Sequence, residues 1–370
     1  MPRRALTLLA VAAVSLASSG CRRRQSRLLF ARHEGQRDVV YLAEPTGSRD
    51  PVRVLDDLPG AVNSGLTIDD GRAMIAMVRL SGRPGGELWR VRVDHGSVHA
   101  DRRLTAFPIT FLFAASRDGR VVVGYENATD RAPIHVYREG HDPPVTQLAD
   151  FRYAAGADVS ADGRRAVIAG TPHSCTDRSL AHCPIELYGV DLTTDPPTPH
   201  VIAASARASY MPRFIPGTHD DRVLYQTTEF DPSARCIANL NDCWHDLVTR
   251  DFAGREAPQP LRSGVVGPAY SPHGTKLAFL SYTEPAAGCE RLPCSHQSLY
   301  VMTPGRDDAR RIATGEVAIF SQRYWSADDR WLVYTAEDRN THARTLRTIH
   351  ADGAAGRSFG DAWAIAWVLE

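Results

Sequence analysis

Lysine is almost absent from this 370-residue chain: Lys276 is the only one, and every other basic residue is arginine. That bias is the kind a GC-rich coding sequence produces, and it carries no functional reading. Neither charge is in excess, with 43 basic residues against 43 acidic. A nucleic-acid binder, which needs a basic surplus to meet phosphates, is therefore disfavoured. Beyond the amino terminus no apolar run approaches the length of a membrane-spanning helix. No Gly-x-Ser-x-Gly elbow, His-Glu-x-x-His, P-loop or full EF-hand loop occurs. Turn formers, by contrast, are plentiful: Gly 28 and Pro 24 make about one residue in seven. A hydrophobic content of 43% excludes a disordered chain. The length exceeds one ordinary core and falls short of three domains, unless the chain is one large closed β structure.

The first 21 residues read as an address. Arg3 and Arg4 precede an apolar or small run, Ala5 to Ala17, and Ser18-Ser19-Gly20-Cys21 follows. About 13 residues span about 20 Å as a helix, short of the ~30 Å hydrocarbon core, so this is a signal peptide rather than a membrane span. Small residues before a cysteine resemble the bacterial lipoprotein box, which implies acylation of Cys21 as the first mature residue. Ser18 stands where that box usually has Leu, and plain secretion is the alternative. Arg22 after the cysteine, in place of Asp, points to the outer membrane facing the periplasm if the cell is Gram-negative. Residues 22–27 are a basic tether. Residues 1–27 hold six arginines and no acid, which leaves 28–370 with a net charge of −6. Arg22, Arg23, Arg24 and Arg27 beside a lipid would lie on anionic head groups, at about 1 kcal/mol each.

From residue 28 onward one pattern repeats. A turn separates two apolar strands at Thr67–Arg72, Ser116–Arg120, Ser160–Arg164, Ser271–Thr275 and Ser326–Arg330, with a degenerate copy at Phe214–Arg222. Asp-Gly supplies the positive φ of a tight hairpin. Third strands follow at Glu87–Val93, Ile134–Tyr137, Glu186–Asp191, Asp246–Asp251 and Ser298–Met302, and fourth strands at Arg102–Thr105, Val145–Leu148 and Arg310–Ala313. Four short antiparallel strands every 44–58 residues make a propeller blade, and blades bury their faces only by closing into a ring.

Tyr270-Ser-Pro-His-Gly274 and Trp325-Ser-Ala-Asp-Asp329 resemble the TolB-type repeat, in which an aromatic residue precedes Ser-Pro-Asp-Gly. The resemblance covers residues 28–370 and implies an all-β propeller with Tyr270 and Trp325 packed between blades. Leu28–Asp57 has no such turn, while Asp361–Val368 looks like a first strand without a partner. Seven blades follow if the last strand completes the first blade. Six, usual in the TolB family, is the alternative. TolB itself is a periplasmic adaptor, so the resemblance implies envelope proteins as partners. Their separate amino-terminal domain has no counterpart between Cys21 and the first strand.

Six cysteines remain after Cys21: Cys175 with Cys183, Cys236 with Cys243, and Cys289 with Cys294. Each couple falls in the loop between second and third strands of blades four, five and six, four or five residues or so before the third-strand Leu. That register selects three loop disulfides out of fifteen connectivities, in the oxidising compartment the signal implies. The spacings of seven, six and four residues do not suit a zinc knuckle. Stapled loops suit a preorganised binding surface, or protection from proteases.

No catalytic residue, cofactor or metal is assigned. His173, His182, His245 and His296, with Asp177, Asp242 and Glu290, sit in or beside the cysteine loops, as metal ligands or as ordinary surface residues. The starts of the first strands put Asn63, Thr110, Tyr153, Tyr210, Arg323 and Asp361 at the channel mouth, to bind a glycan or peptide or simply to line a solvated funnel. The expectation is a monomeric envelope lipoprotein that binds proteins or a small ligand or glycan, without nucleic acid. The alternative is a propeller enzyme of polysaccharide lyase or hydrolase type.

Overall fold

The computed structural model describes residues 25–35, 37–82, 85–94, 97–108, 110–126, 131–175, 183–204, 208–217, 221–228, 245–285, 295–314, 317–318, 324–338, 341 and 343–370. For 208–210, 228, 245, 282–285, 295–297 and 317–318 it describes the backbone alone. The described strands form seven four-stranded antiparallel sheets, each one blade. Blade two shows the plan: Ala61–Ile68 at the axis, then Ala73–Arg79, Gly86–Asp94 and Ser97–Phe107 outward.

Seven blades form, not six, because the ends of the chain share one. Trp363–Leu369 is the inner strand of blade one and pairs antiparallel with Ser26–Glu34; Arg37–Ala43 and Val52–Val54 complete it. Backbone bonds join Gln25 and Glu370 in both directions, at 3.1 and 3.0 Å, and Arg27 Nε meets the Glu370 carboxylate at 2.6 Å. The break between the termini thus stands where other blades have their first hairpin turn.

The core follows from the ring. Seven buried clusters among the described residues lie one at each seam between neighbouring blades. Val123 and Ile134 of blade three, for example, meet Ala157 and Ile168 of blade four, and Phe30 of blade one meets Val333 and Leu346 of blade seven. A second strand is packed on both faces, so it reads as an unbroken apolar run: Ala73–Val78 is buried throughout. Fourth strands are exposed edges. Proline blunts those of blades four and five, Pro199 and Pro260.

The repeated turn has a reason for its serine. Ser116, Ser160, Ser271 and Ser326 are buried, and each hydroxyl accepts the backbone N–H five residues on, from Val121, Arg165, Lys276 and Trp331, at 2.8–3.1 Å. In three of them the hydroxyl donates to the aspartate two residues on, Asp118, Asp162 or Asp328. The residue after that aspartate takes positive φ, Gly119 at 71° and Gly163 at 72°, with Asp329 at 57° in the same slot of blade seven. Trp325 packs between blades as the resemblance implied, its indole N–H on the Ala269 carbonyl of blade six at 2.9 Å.

Inner strands carry one feature the repeats did not announce. Blades one to six each break register in mid-strand, at Ile365, Asn63, Phe113, Ala155, Met211-Pro212 and Gly267-Pro268. A bulge adds local twist, as strands crowded on one axis require.

Candidate functional site

Strand alternation gives the ring two faces. Loops between second and third strands share the upper face with the blade-to-blade crossovers. First hairpin turns share the lower face with the loops between third and fourth strands and with both chain ends.

Most of the expected mouth residues lie at the starts of inner strands. Asn63 is the half-buried bulge residue of blade two. Thr110 donates its amide to the Tyr125 carbonyl at 2.9 Å just before Phe111–Ala115. Tyr153 opens Tyr153–Val159, Tyr210 faces Gln226 across the first hairpin of blade five, and exposed Asp361 precedes Trp363. Arg323 lies outside the described residues. Around Thr110 and Tyr153 the structure adds aromatic groups that the sequence reading missed. Phe111 is 47% exposed and Tyr153 38%. Tyr125, from the adjoining second strand, stacks on Phe111 at 5.3 Å and on Phe113 at 4.9 Å, with interplanar angles of 14° and 17°. The bulge at Phe113 brings that ring round to the same stack. Burial, helped by the nearby Tyr153, raises the Tyr125 phenol pKa. Burial also raises that of Tyr153, despite its accessible surface. An aromatic residue opening one short apolar strand and another closing the next, Phe111 and Tyr125, were the available signal.

The loop of blade four is tied to this ledge. Cys175 and Cys183 form a disulfide. Arg152, the residue before Tyr153, donates Nη1 to the Cys175 carbonyl at 3.0 Å and lies 3.8 Å from the Cys183 sulfur. Cys236, Cys243, Cys289 and Cys294 lie outside the described residues, as do Cys21 and the rest of residues 1–24. Of the candidate metal ligands, His173 faces Asp150 at 3.3 Å. Burial opposes ionisation of Asp150, but Arg131 and His173 together hold its carboxyl below the usual range. His182, Asp177, Asp242 and Glu290 are outside the described residues. Among those described, no three His, Cys, Asp or Glu side chains gather into a metal-holding group.

The lower face is polar and clasped. A cleft of about 590 Å³ at the seam of blades seven and one is lined by Gln25, Glu44, Arg49, Asp328 and Trp331 among others. Another of about 330 Å³ lies beside Asp69, Asp70, Arg72 and Arg90.

No protein-family model matches the chain, and no curated protein sequence does. Solved structures match over nearly its whole length. An oligogalacturonate lyase in complex with manganese aligns at 12% identity and a TM-score of 0.57, covering 92% of this chain and 86% of that one. TolB from Acinetobacter baumannii aligns at 10% identity and 0.50, covering 92% and 81%. Its fold is that of a TolB-like β-propeller. A putative 6-phosphogluconolactonase from Bacteroides uniformis aligns at 10% identity and 0.52, covering 94% and 99%. At such identities the TolB-like propeller shares with these proteins its architecture alone.

Proposed function

We propose that this TolB-like propeller is a binding or scaffolding module of the cell envelope, anchored by a lipid on Cys21, which engages an envelope protein or a glycan at its upper mouth. One observation carries the reading: accessible aromatic rings, Phe111 and Tyr153, stand on adjacent blades at the mouth, braced by Tyr125 and by the stapled loop behind Arg152. Exposed aromatics grouped on a surface are characteristic of recognition sites. The amino-terminal end supports it. Gln25 joins the ring on the lower face, so a tether through Arg22–Arg24 to a lipidated Cys21 turns the upper mouth away from the bilayer. The test has two parts. Metabolic labelling with a fatty-acid analogue tests the anchor, and Cys21→Ser is expected to abolish both label and membrane fractionation. Crosslinking in intact cells tests the mouth: Phe111→Ser with Tyr153→Ser is expected to lose the crosslinked species at unchanged protein level. Retention of that species in the double variant refutes the mouth as the binding surface.

A further inference from the structure

We propose that the channel wall beside blades five to seven holds a carboxylate-binding site built on Arg213, with Gln226 and Tyr324 as neutral groups beside it. This site lies within the channel, apart from the aromatic ledge, and stands or falls independently of it. Arg213 sits in the inner strand of blade five, Ala208–Phe214, and is half-buried. Its Nη1 donates to the carbonyls of Ala157 at 3.1 Å and Pro212 at 2.8 Å, which fix the guanidinium. Among the described residues no carboxylate forms an ion pair with it. Arg165 and Arg222, by contrast, pair with Asp221 and Glu256. Asp158, on the adjoining inner strand, accepts the Phe214 amide at 2.9 Å. A partly desolvated guanidinium without a counter-ion is costly unless an anion or water completes it.

Gln226 makes the same point from the second strand of blade five. It is fully buried, and its Oε1 accepts the Gly267 N–H at 2.9 Å. That bond fixes the amide and leaves Nε2 a donor with no partner among the described residues. Gly267 holds φ 60°, and among the described residues a Cβ there would meet only the Tyr324 hydroxyl, at 3.7 Å. Glycine therefore leaves room beside the amide and the phenol. Burial raises the Tyr324 pKa, and the charge of Arg213 offsets part of that rise. The backbone is unusual in this sector as well. Gly156, Met211 and Gly267, at or beside the inner-strand bulges of blades four, five and six, all take positive φ, Met211 at 52° without the freedom of glycine. Strain of this kind clusters at functional sites.

Among the described residues, one fixed cation with neutral groups beside it, and no acid in an ion pair with that cation, suits a ligand that accepts hydrogen bonds and carries a single negative charge. A carboxylate fits, and it can take Arg213 through two parallel bonds. A phosphate, nearer to two charges, would call for more than one cation. The carboxylate can belong to a uronic acid sugar or to a peptide carboxyl terminus, and titration calorimetry distinguishes them. The probes are a hexuronate disaccharide and its methyl ester, and N-acetyl-trialanine with a free or an amidated terminus. We expect one free acid to bind and its neutral counterpart to bind at least tenfold more weakly. Arg213→Gln should weaken the acid at least tenfold, Arg213→Lys less, and Gln226→Leu several-fold. If Arg213→Gln fails to fold, the acid against ester or amide comparison and Gln226→Leu still decide. Equal binding of acid and neutral probes overturns the site, as does no binding of either acid at millimolar concentration. Unchanged binding in a folded Arg213→Gln variant also overturns it.

Discussion

The carboxylate of Asp329, in the first hairpin turn of blade seven, accepts the hydroxyl hydrogen of Ser271 in the corresponding turn of blade six, at 2.9 Å. Elsewhere that serine bonds an aspartate of its own turn, but blade six has His273 at that place. Asp329 makes good the deficit from the next blade. It also takes the Thr275 hydroxyl at 2.8 Å and His273 Nδ1 at 3.0 Å, while Lys276 Nζ reaches the Asp329 carbonyl at 3.0 Å. A defect within one repeat has become a bond between two.

Two substitutions should exchange the bond for the ordinary turn. Asp329→Gly suits the positive φ at 329 but strips the buried Ser271 hydroxyl of its acceptor, and should cost about 1–3 kcal/mol. His273→Asp alone puts a second carboxylate beside Asp329 and should also destabilise. Together they recreate Ser-x-Asp-Gly in both turns, so the double variant should recover about 1 kcal/mol or more relative to the sum of the singles. Urea unfolding of the four proteins of the cycle measures this; strict additivity would remove Asp329 as the partner of Ser271.

Histidine 135 should make stability fall with acidity. Burial lowers its pKa in the folded protein, outweighing the nearby Glu126. The neutral ring is therefore favoured in the fold, and the unfolded chain takes up the proton first. Stability is unaffected above the ordinary histidine pKa of about 6.5 and declines as pH drops below it, until the folded ring also titrates. His135→Phe, which keeps the edge contact with Phe107, should flatten the fall in melting temperature between pH 7 and pH 5.

The repeats were legible because each turn is specified locally: serine, aspartate and glycine act within six residues. Closure could also be read, since Asp361–Val368 shows a first strand lacking its turn and Leu28–Asp57 a blade lacking its first strand. What escaped belongs to the ring. The bulges answer crowding at the axis, and Phe111 and Tyr125 come together only through strand pairing. Asp329 reaches Ser271 across a seam that no linear window contains. His273 in the aspartate slot was a visible departure, but the sequence does not say which neighbour compensates.

The Cys175–Cys183 link should matter more to the loop than to the ring. Closing so short a loop contributes about 2–3 kcal/mol in the chain-entropy view. The Cys175→Ser, Cys183→Ser pair should lose up to that amount. Because Arg152 ties the loop to the crossover before Tyr153, limited proteolysis should also cut the variant between blades three and four sooner than the parent. Equal digestion would detach the staple from the mouth.

Trp367 bears most directly on the closed ring. It is 1% exposed in the inner strand of blade one, and its indole N–H reaches the Tyr324 carbonyl of blade seven at 3.3 Å. Trp367→Ala should cost about 3–5 kcal/mol, as large core truncations do. Removing residues 363–370 is more severe, since blade one then loses its axial strand and the ring has open seams on either side. The truncated protein should lose its cooperative unfolding transition. Supplying a peptide of the sequence 361–370 in excess should restore part of it, because the strand pairs with Ser26–Glu34 through backbone bonds that need no covalent link to blade seven. A truncated chain that melts like the full one would mean that the ring does not depend on its closing strand.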